Sequence, residues 1–177
     1  MYQETVSIID NLMPVTIAAV DGVCTGGGLE LTLVCDFVLT TPRSRWGMPE
    51  INWDITPGWG GTAKLAKFAG RRKAKEWNLT GALFSGTTAE RHNLVNRLCE
   101  QLDHEVAALI EVMLAKNPTT LYCTKYYLDK GADLDMASSM FFEGAPPANS
   151  SDKGIRDFVN KESRDARRKL LTDFWHS

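Results

Sequence analysis

Two glycine-rich turns within residues 14–62 constrain the fold of this chain more than any other feature. Residues 15–20, VTIAAV, form a short apolar, β-branched run that is typical of a strand buried on both faces. Three consecutive glycines occupy positions 26–28, and an apolar pattern that suits a helix packed on a sheet then follows at Leu29, Leu31, Leu33 and Val34. The order of strand, glycine loop and helix predicts an α/β fold that exposes backbone N–H groups at the positive end of that helix.

Two carboxylates stand beside these turns. Glu30 falls within about the first turn of the predicted helix, close to its exposed N–H groups. Glu50 follows the residues WGMP at positions 46–49 and precedes a second glycine turn, PGWGG, at positions 57–61. Another apolar run, FVLT at positions 37–40, predicts a second strand between the two carboxylates. Positions 30 and 50 are 20 residues apart, so only the fold can bring the two side chains together.

The composition of the chain excludes several classes of protein. Its 177 residues are 44% hydrophobic, which is enough for one sizeable core. A formal net charge of −2 argues against nucleic acid or a membrane surface as the partner. No uninterrupted apolar run approaches the ~20 residues that span a bilayer. The four cysteines are scattered without CxxC spacing, which favours reduced thiols, a cytoplasmic location and no metal site.

The stretch with the two turns resembles the core of the enoyl-CoA hydratase/isomerase (crotonase) superfamily. Residues 18–31 match the pattern AAVxGxxxGGGxEL, and the pair Cys35-Asp36 follows. Residues 47–50 match GxPE, and residues 57–61 match PGxGG. Four motifs in one order make the resemblance specific. A looser similarity continues through residues 79–81, 86–96 and 153–158, so that it covers nearly the whole chain.

The resemblance implies an α/β fold in which a crotonase-like ββα spiral core, residues 1–101, precedes a C-terminal α-helical domain, residues 102–177, that caps the core and forms oligomers. In the family, a helix like residues 2–12 follows several strands. The match is therefore to the second half of the family, with the N-terminal strands missing. We accordingly expect a separate chain, or upstream residues, to complete the fold. Without them the chain is expected to fold poorly and to lack activity.

Helices are also predicted from the residues themselves. They cover residues 62–68 and 72–79 on either side of Gly70, and another begins near residue 85, with Thr87 and Glu90 at capping-box spacing. A last short strand is predicted at residues 94–98. After residue 103 nothing has the pattern of a strand, and helices are predicted at residues 106–114, 119–130, 134–142 and 155–171. Residues 144–151 have the composition of a loop.

By resemblance, Glu30 and Glu50 correspond to the two catalytic glutamates of the family. Hydration of an enoyl thioester needs a water held at Cβ and a proton delivered to Cα, and two carboxylates that share one water supply both. Glu50 would exchange the proton at Cα, and Glu30 would orient or deprotonate the water. Gly27 corresponds to the residue whose N–H binds the thioester oxygen in an oxyanion hole. The alternatives are a helix-end carboxylate for Glu30, a surface residue for Glu50 and a tight turn at Gly27.

The acyl pocket is expected from Trp46, Trp53, Gly58 and Trp59, although core packing explains each tryptophan equally well. Residues 50–53, EINW, resemble the hydroxycinnamoyl-CoA hydratase-lyases, and Asp54 is a weaker candidate for a third acid. Two other patterns are weak. Residues 58–63 fit GxGxxA, a dinucleotide-binding pattern, but a proline precedes the first glycine and spoils the entry from a strand. The basic residues between positions 64 and 75 are predicted either to approach the CoA phosphates or to form a solvated helix face.

The favoured function is hydration of a 2-enoyl-CoA to a 3-hydroxyacyl-CoA in fatty acid metabolism, with no cofactor beyond the coenzyme A of the substrate. Retention of both glutamates favours a hydratase over an isomerase that shuttles one proton between carbons. A lyase of the hydroxycinnamoyl type remains open. A third hypothesis is a truncated or split, non-catalytic subunit that needs a partner chain. The resemblance implies a homo-oligomer, either a trimer or a dimer of trimers, with no nucleic-acid or membrane partner.

Overall fold

The computed structural model describes residues 2–144 and, beyond them, residues 156, 159, 160 and 165. The chain falls into two compact units, Met1–Val106 and Ala107–Ser177. The fold is α/β, as predicted, with the described strands in the first unit and helices alone in the described part of the second. Most of the predicted helix at 155–171, of the similarity at 153–158 and of the predicted loop at 144–151 lies outside the described residues. The domain boundary expected after residue 101 stays a prediction.

The first unit combines short strands with short helices. In chain order its elements are α1 (Tyr2–Asp10), β1 (Ile17–Val20), β2 (Val23–Thr25), α2 (Gly27–Thr32), β3 (Phe37–Thr40), β4 (Arg45–Gly47), a 3-10 helix (Pro49–Trp53), α3 (Ala63–Ala69), α4 (Arg71–Thr80), β5 (Leu83–Ser85), α5 (Gly86–Arg91) and β6 (Arg97–Leu98). Helix α6 (Leu102–Leu114) begins in this unit and ends in the second.

The strands form two three-stranded sheets. In the first sheet, in the order β1-β3-β6, both pairs are parallel, and Ile17 lies opposite Phe37. Strand β3 has the predicted bounds. Strand β1 was expected to be buried on both faces, but Ala19 is exposed and its neighbours are only partly buried. That expectation is wrong because β1 lies at an edge of the sheet among the described residues and pairs there only with β3.

The second sheet was not predicted from the sequence. Strand β4 lies between β2, with which it pairs in parallel, and β5, with which it pairs antiparallel. Each of these strands has only three residues, which is too short for an alternating pattern to stand out. Strand β2 enters the triple glycine directly, so the strand before the glycine loop is β2 and not β1. In the register of this sheet, Thr25 lies opposite Gly47.

An apolar cluster lies in the interior of the first unit. Its fully buried members include Leu29 of α2, Trp46 of β4, Leu65 of α3 and Met48, which follows β4. The ring of Trp77, on α4, stacks on Phe84 of β5 with centroids 4.0 Å apart. The core therefore ties α2, α3 and α4 to the inner face of the second sheet, and it fixes the start of α2 relative to that sheet.

The helices predicted in the first unit are confirmed, with one error in their capping. Helices α3 and α4 flank Gly70, whose φ of 77° is in the region that favours glycine. Helix α5 is capped by Ser85, whose Oγ accepts a hydrogen bond from the N–H of Thr88 at 3.2 Å. The capping box expected at Thr87 and Glu90 is wrong, since Glu90 instead accepts a hydrogen bond from the N–H of Leu98 at 3.1 Å.

The second unit contains α7 (Pro118–Gly131) and α8 (Met136–Glu143), close to the predicted bounds. Asn117 and Asp135 cap them by accepting hydrogen bonds from backbone N–H groups. The rings of Tyr126 and Tyr127 contact Phe142, which joins the two helices. None of the described helices has both the length and the apolar character that a membrane crossing requires.

Candidate active site

The parallel pairing of β2 and β4 explains how the two glutamates come to one place. Strand β2 ends at Thr25, and α2 begins at Gly27; strand β4 ends at Gly47, and the 3-10 helix begins at Pro49. Parallel strands end at the same edge of their sheet, so both helices start side by side. The N–H of Gly26 donates to the carbonyl of Gly47 at 3.0 Å, which continues the pairing into the glycine turn.

Glu30 is almost completely buried, with 3% of its surface exposed. Its Oε1 accepts hydrogen bonds from the N–H groups of Trp59 and Gly61, both at 2.8 Å. The second glycine turn therefore wraps around this carboxylate. A Cβ atom on Gly61 would lie 2.8 Å from the same Oε1, so only a glycine allows the turn to approach so closely. These contacts go beyond those of a carboxylate that only complements its own helix end.

Glu50 lies against the first glycine turn. A Cβ atom on Gly26 would be 2.6 Å from Oε1 of Glu50. Gly26 also has a φ of 53°, which favours glycine. The other carboxylate oxygen, Oε2, is buried and has no hydrogen-bond partner among the described residues. A buried carboxylate oxygen without a partner is rare and costly, and it is the kind of group that binds a water or a ligand.

The ring of Trp59 covers the first residue of α2. A Cβ atom on Gly27 would lie 2.8 Å from Cζ3 of that ring and 3.2 Å from Cε3. The backbone N–H of the same tryptophan holds Glu30. Gly27 is at the N-terminus of α2, where the first N–H groups have no partner within the helix. Trp59 thus links the predicted oxyanion residue to the first carboxylate.

The other predicted pocket residues lie in different surroundings. Trp46 is fully buried in the core cluster, and its indole N–H has no hydrogen-bond partner among the described residues. Trp53 is 75% exposed. Gly58 is exposed, and its carbonyl accepts a hydrogen bond from Gln3. Asp54 is exposed with a φ of 56° and ends the 3-10 helix. In the structure Trp59 thus contacts both Gly27 and Glu30, and Glu50 lies against Gly26 of the same glycine turn as Gly27.

The sequence does not predict the roles of three residues in this arrangement, namely Gly26, Gly61 and Gln3. The triple glycine and the PGxGG motif contain the first two, but a motif does not say which glycine faces which carboxylate. The remaining patterns gain little support. Residues 58–63 follow a 3-10 helix rather than a strand, and among the basic residues Lys64 binds Asp10 and Lys73 binds Glu76.

Burial and hydrogen bonds shift the pKa values of several side chains. Burial raises the pKa of the Cys24 thiol to about 12, and burial is also the main reason that the pKa of Cys99 is raised. Hydrogen bonds from Arg43 and then from Thr41 lower the pKa of Asp21. Cys24, in β2, is therefore protonated at neutral pH because it is buried, and it serves as a core residue rather than a nucleophile.

The geometry provides three chemical components at one sheet edge. Two backbone N–H groups hold the carboxylate of Glu30. The carboxylate of Glu50 has a buried oxygen without a partner among the described residues. The N-terminus of α2, at Gly27, provides further backbone N–H groups. Carboxylates move protons, and fixed backbone donors stabilise a developing negative charge on oxygen. The arrangement suits proton transfer next to a carbonyl group.

Comparison with known proteins agrees with this chemistry. The family model described as enoyl-CoA hydratase/isomerase matches residues 1–166. The short-chain-enoyl-CoA hydratase of Clostridioides difficile is 35% identical over 135 residues, which is 75% of this chain and 86% of that protein. The mitochondrial enoyl-CoA hydratase domain-containing protein 2 of Bos taurus is 37% identical over 135 residues, which is 73% of this chain and 46% of that protein.

A solved structure has the same fold with a bound thioester. The crystal structure of a Thermobifida fusca YX protein in complex with acetoacetyl-CoA has a TM-score of 0.76 and 29% identity, covering 81% of this chain and 57% of that chain. The chain spans between 46% and 65% of the length of three of the curated relatives that it matches. The match of the family model over residues 1–166 and the relatives above one third identity establish that this chain belongs to the enoyl-CoA hydratase/isomerase family.

Proposed function

We propose that this chain contributes the two-carboxylate site of an enzyme that hydrates a 2-enoyl-CoA to a 3-hydroxyacyl-CoA. The observation that carries the proposal is the arrangement of the two carboxylates at the two glycine turns, where the second turn binds Glu30 and Glu50 lies against the first. Oε1 of Glu30 accepts two backbone hydrogen bonds at 2.8 Å, and Oε2 of Glu50 is buried without a partner among the described residues. The fold thus holds Glu30 through the second glycine turn, and Glu50 keeps a buried oxygen for a further hydrogen bond.

In the proposed reaction, the thioester carbonyl accepts a hydrogen bond from the N–H of Gly27. Glu30 holds the water and takes one of its protons as the water oxygen bonds to Cβ. The C=C electron pair moves toward the carbonyl, and the enolate then takes a proton at Cα from Glu50. One water is consumed, and the proton that Glu30 gained replaces the one that Glu50 lost. The two carboxyl groups therefore end the cycle with as many protons as they began with.

Trp59 is proposed as the wall of the acyl site. Its ring lies against Gly27, so that an acyl chain whose carbonyl reaches that N–H has to pass beside the indole. Gly58 and the exposed Trp53 are proposed at the outer side of the same turn, while Trp46 supports it from the core. Coenzyme A enters as part of the substrate, and no metal or further cofactor has a role in this reaction. A cytoplasmic homo-oligomer is proposed as its setting.

The test uses the chain together with any polypeptide that copurifies with it, which we call the purified assembly. Hydration of crotonyl-CoA is measured by loss of the conjugated thioester absorbance. Glu30→Gln and Glu50→Gln are each expected to lower the rate by about 10² to 10⁴, with thioester binding largely retained. Glu76→Gln, an exposed carboxylate on α4, is the matched control and is expected to leave the rate unchanged.

The outcome also separates the hydratase from the isomerase. If Glu30→Gln hydrates normally while Glu50→Gln is inactive, a mechanism with one base replaces the two-carboxylate mechanism. A purified assembly that binds the thioester but does not hydrate it would support the non-catalytic subunit instead.

A further inference from the structure

The turn that holds Glu30 is itself held from its outer side. The peptide unit between Gly58 and Trp59 donates its N–H to Glu30, and its carbonyl oxygen accepts a hydrogen bond from Nε2 of Gln3 at 3.2 Å. The peptide unit between Gly60 and Gly61 also donates its N–H to Glu30. Its carbonyl oxygen accepts a hydrogen bond from the N–H of Lys64 at 2.8 Å. Each of the two peptide units is therefore bonded on both sides.

This double bonding determines where the two N–H groups point. A peptide unit is planar, so a bond that fixes the direction of its carbonyl also fixes the direction of its N–H. A hydrogen bond accepted at the carbonyl also polarises the unit and strengthens the N–H as a donor. Glycines at positions 58, 60 and 61 would otherwise leave this turn with much backbone freedom. The outer bonds remove that freedom at the two peptides that Glu30 needs.

The first outer bond comes from Gln3 of helix α1, and α1 also binds the side chain of Lys64, whose backbone N–H makes the second. Gln3, Val6 and Asp10 follow the spacing i, i+3, i+7 and thus lie on one face of α1, where Val6 is buried. Asp10 binds Nζ of Lys64 through both carboxylate oxygens, at 2.7 and 2.8 Å. The two side chains of this ion pair are about one third exposed. The stem of Lys64 passes along the turn, with Cδ 3.7 Å from the Cβ position of Gly60.

We infer that Gln3, Asp10 and Lys64 are positioning residues for Glu30, because they brace the glycine turn from outside and orient the two N–H groups that hold its carboxylate. We call these three residues the outer brace. The brace is a property of the fold, and its catalytic effect rests on the proposed function of Glu30. It acts on the orientation of one carboxylate and not on contact with the substrate.

The first experiment measures the brace without any reaction. Hydrogen exchange of the purified assembly is followed by mass spectrometry in a peptide that spans residues 57–61. In Gln3→Met and in Lys64→Met, two amides of this peptide are expected to exchange about two to ten times faster than in the unchanged protein. Gln3→Lys, which keeps a donor, is expected to restore most of the protection. Unchanged exchange in both Met variants would overturn the inference.

A matched control separates the brace from general destabilisation. Lys73→Met removes an ion pair of the same kind, with Glu76 at 2.7 Å, from α4. It is expected to leave exchange in residues 57–61 unchanged. If Lys64→Met fails to fold, Gln3→Met still tests the inference, since Gln3 is exposed and its loss opens no cavity. Faster exchange in Lys73→Met equal to that in Lys64→Met would overturn the assignment of Lys64.

The second experiment measures the catalytic effect. Gln3→Met and Asp10→Asn are expected to lower kcat for hydration by about two- to tenfold, with a smaller change in KM. In a Glu30→Gln background the same substitutions are expected to cause no further loss, because their effect passes through that carboxylate. Additive losses in the double variants would overturn the positioning role.

The two experiments distinguish the failure of this inference from the failure of the proposed function. If exchange responds to the brace but the purified assembly shows no hydration, the brace stands and the hydratase proposal is wrong. If hydration proceeds normally in Gln3→Met and Asp10→Asn and exchange is unchanged, the hydratase stands and the brace is wrong.

Discussion

The indole ring of Trp59 lies directly against Gly27, with Cζ3 2.8 Å from the position that a Cβ atom would take on that glycine. The contact joins the turn that holds Glu30 to the helix end that is proposed to bind the thioester oxygen. It leaves no room for a side chain at position 27. It also makes the two residues energetically dependent on each other, and this dependence can be measured.

Gly27→Ala is expected to lower the free energy of unfolding by about 1–3 kcal/mol, because the rigid ring of Trp59 has to move. The measurement is urea denaturation of the purified assembly. Gly28→Ala is the matched control, since a Cβ atom there meets nothing within 4 Å and alanine favours the helix. In a Trp59→Ala background the cost of Gly27→Ala is expected to disappear. A cost that persists there would contradict the proposed clash.

Gly26→Ala is expected to destabilise the protein for two separate reasons. The φ of 53° is unfavourable for alanine, and the new Cβ atom would lie 2.6 Å from Oε1 of Glu50. Gly70→Ala isolates the first reason, since Gly70 has a φ of 77° and open space around its Cβ position. Gly26→Ala is expected to cost about 1–3 kcal/mol more than Gly70→Ala in urea denaturation. Equal costs would show that Glu50 moves away freely.

Trp59→Ala is expected to change the preference of the enzyme for acyl groups. Removal of the ring widens the space beside Gly27, so kcat/KM should rise for bulky or branched enoyl-CoA substrates relative to crotonyl-CoA. A methylene in such a pocket is typically worth about a tenfold change in preference. Trp53→Ala is the control, because that ring is 75% exposed. The same preference in Trp59→Ala and in the unchanged protein would remove Trp59 from the acyl site.

The stability of the first unit is expected to fall at alkaline pH because of Cys24. Its pKa is raised by burial from 9.0 to about 12, so the folded state keeps its proton when the unfolded state has lost it. The stabilising contribution is complete below pH 9 and is lost as the pH rises from 9 toward about 12. Cys24→Ala should flatten this part of the stability curve in denaturation at increasing pH. At pH 8, iodoacetamide should modify Cys35, which is partly exposed, well before Cys24.

Much of the fold was predictable from short patterns. Strand β3 was predicted by an apolar run, and Gly70 separates two helices because its left-handed φ ends one helix and begins the next. The second sheet was not predictable in this way. Its strands have three residues each, and Cys24, Trp46 and Phe84 reveal their inward direction only once the strands are paired. Strand β1 was misjudged because an apolar run does not show whether both of its edges are paired.

The candidate site was predictable only in part. The resemblance to the family predicts Glu30, Glu50 and Gly27 as members of one site, but roles that depend on direction were out of reach. Trp46 and Trp59 look alike in the sequence, yet Trp46 is completely buried and Trp59 lies against a glycine of the site. The difference arises from the tertiary packing of β4 and of the second glycine turn. Gln3 carried no signal at all, since its bond is to a backbone carbonyl 55 residues away.

The pairing of β2 with β4 has a consequence for how such a site persists through evolution. Neighbouring strands in a sheet are about 4.8 Å apart, whatever length of chain connects them. The distance between the starts of α2 and the 3-10 helix is thus set by the pairing of β2 with β4 and by the bond from Gly26 to Gly47 that continues it. The intervening residues pass through β3 of the other sheet, so their number does not set this distance. Selection for the two carboxylates therefore acts on the ends of two strands, and the interval of 20 residues is a by-product of the topology.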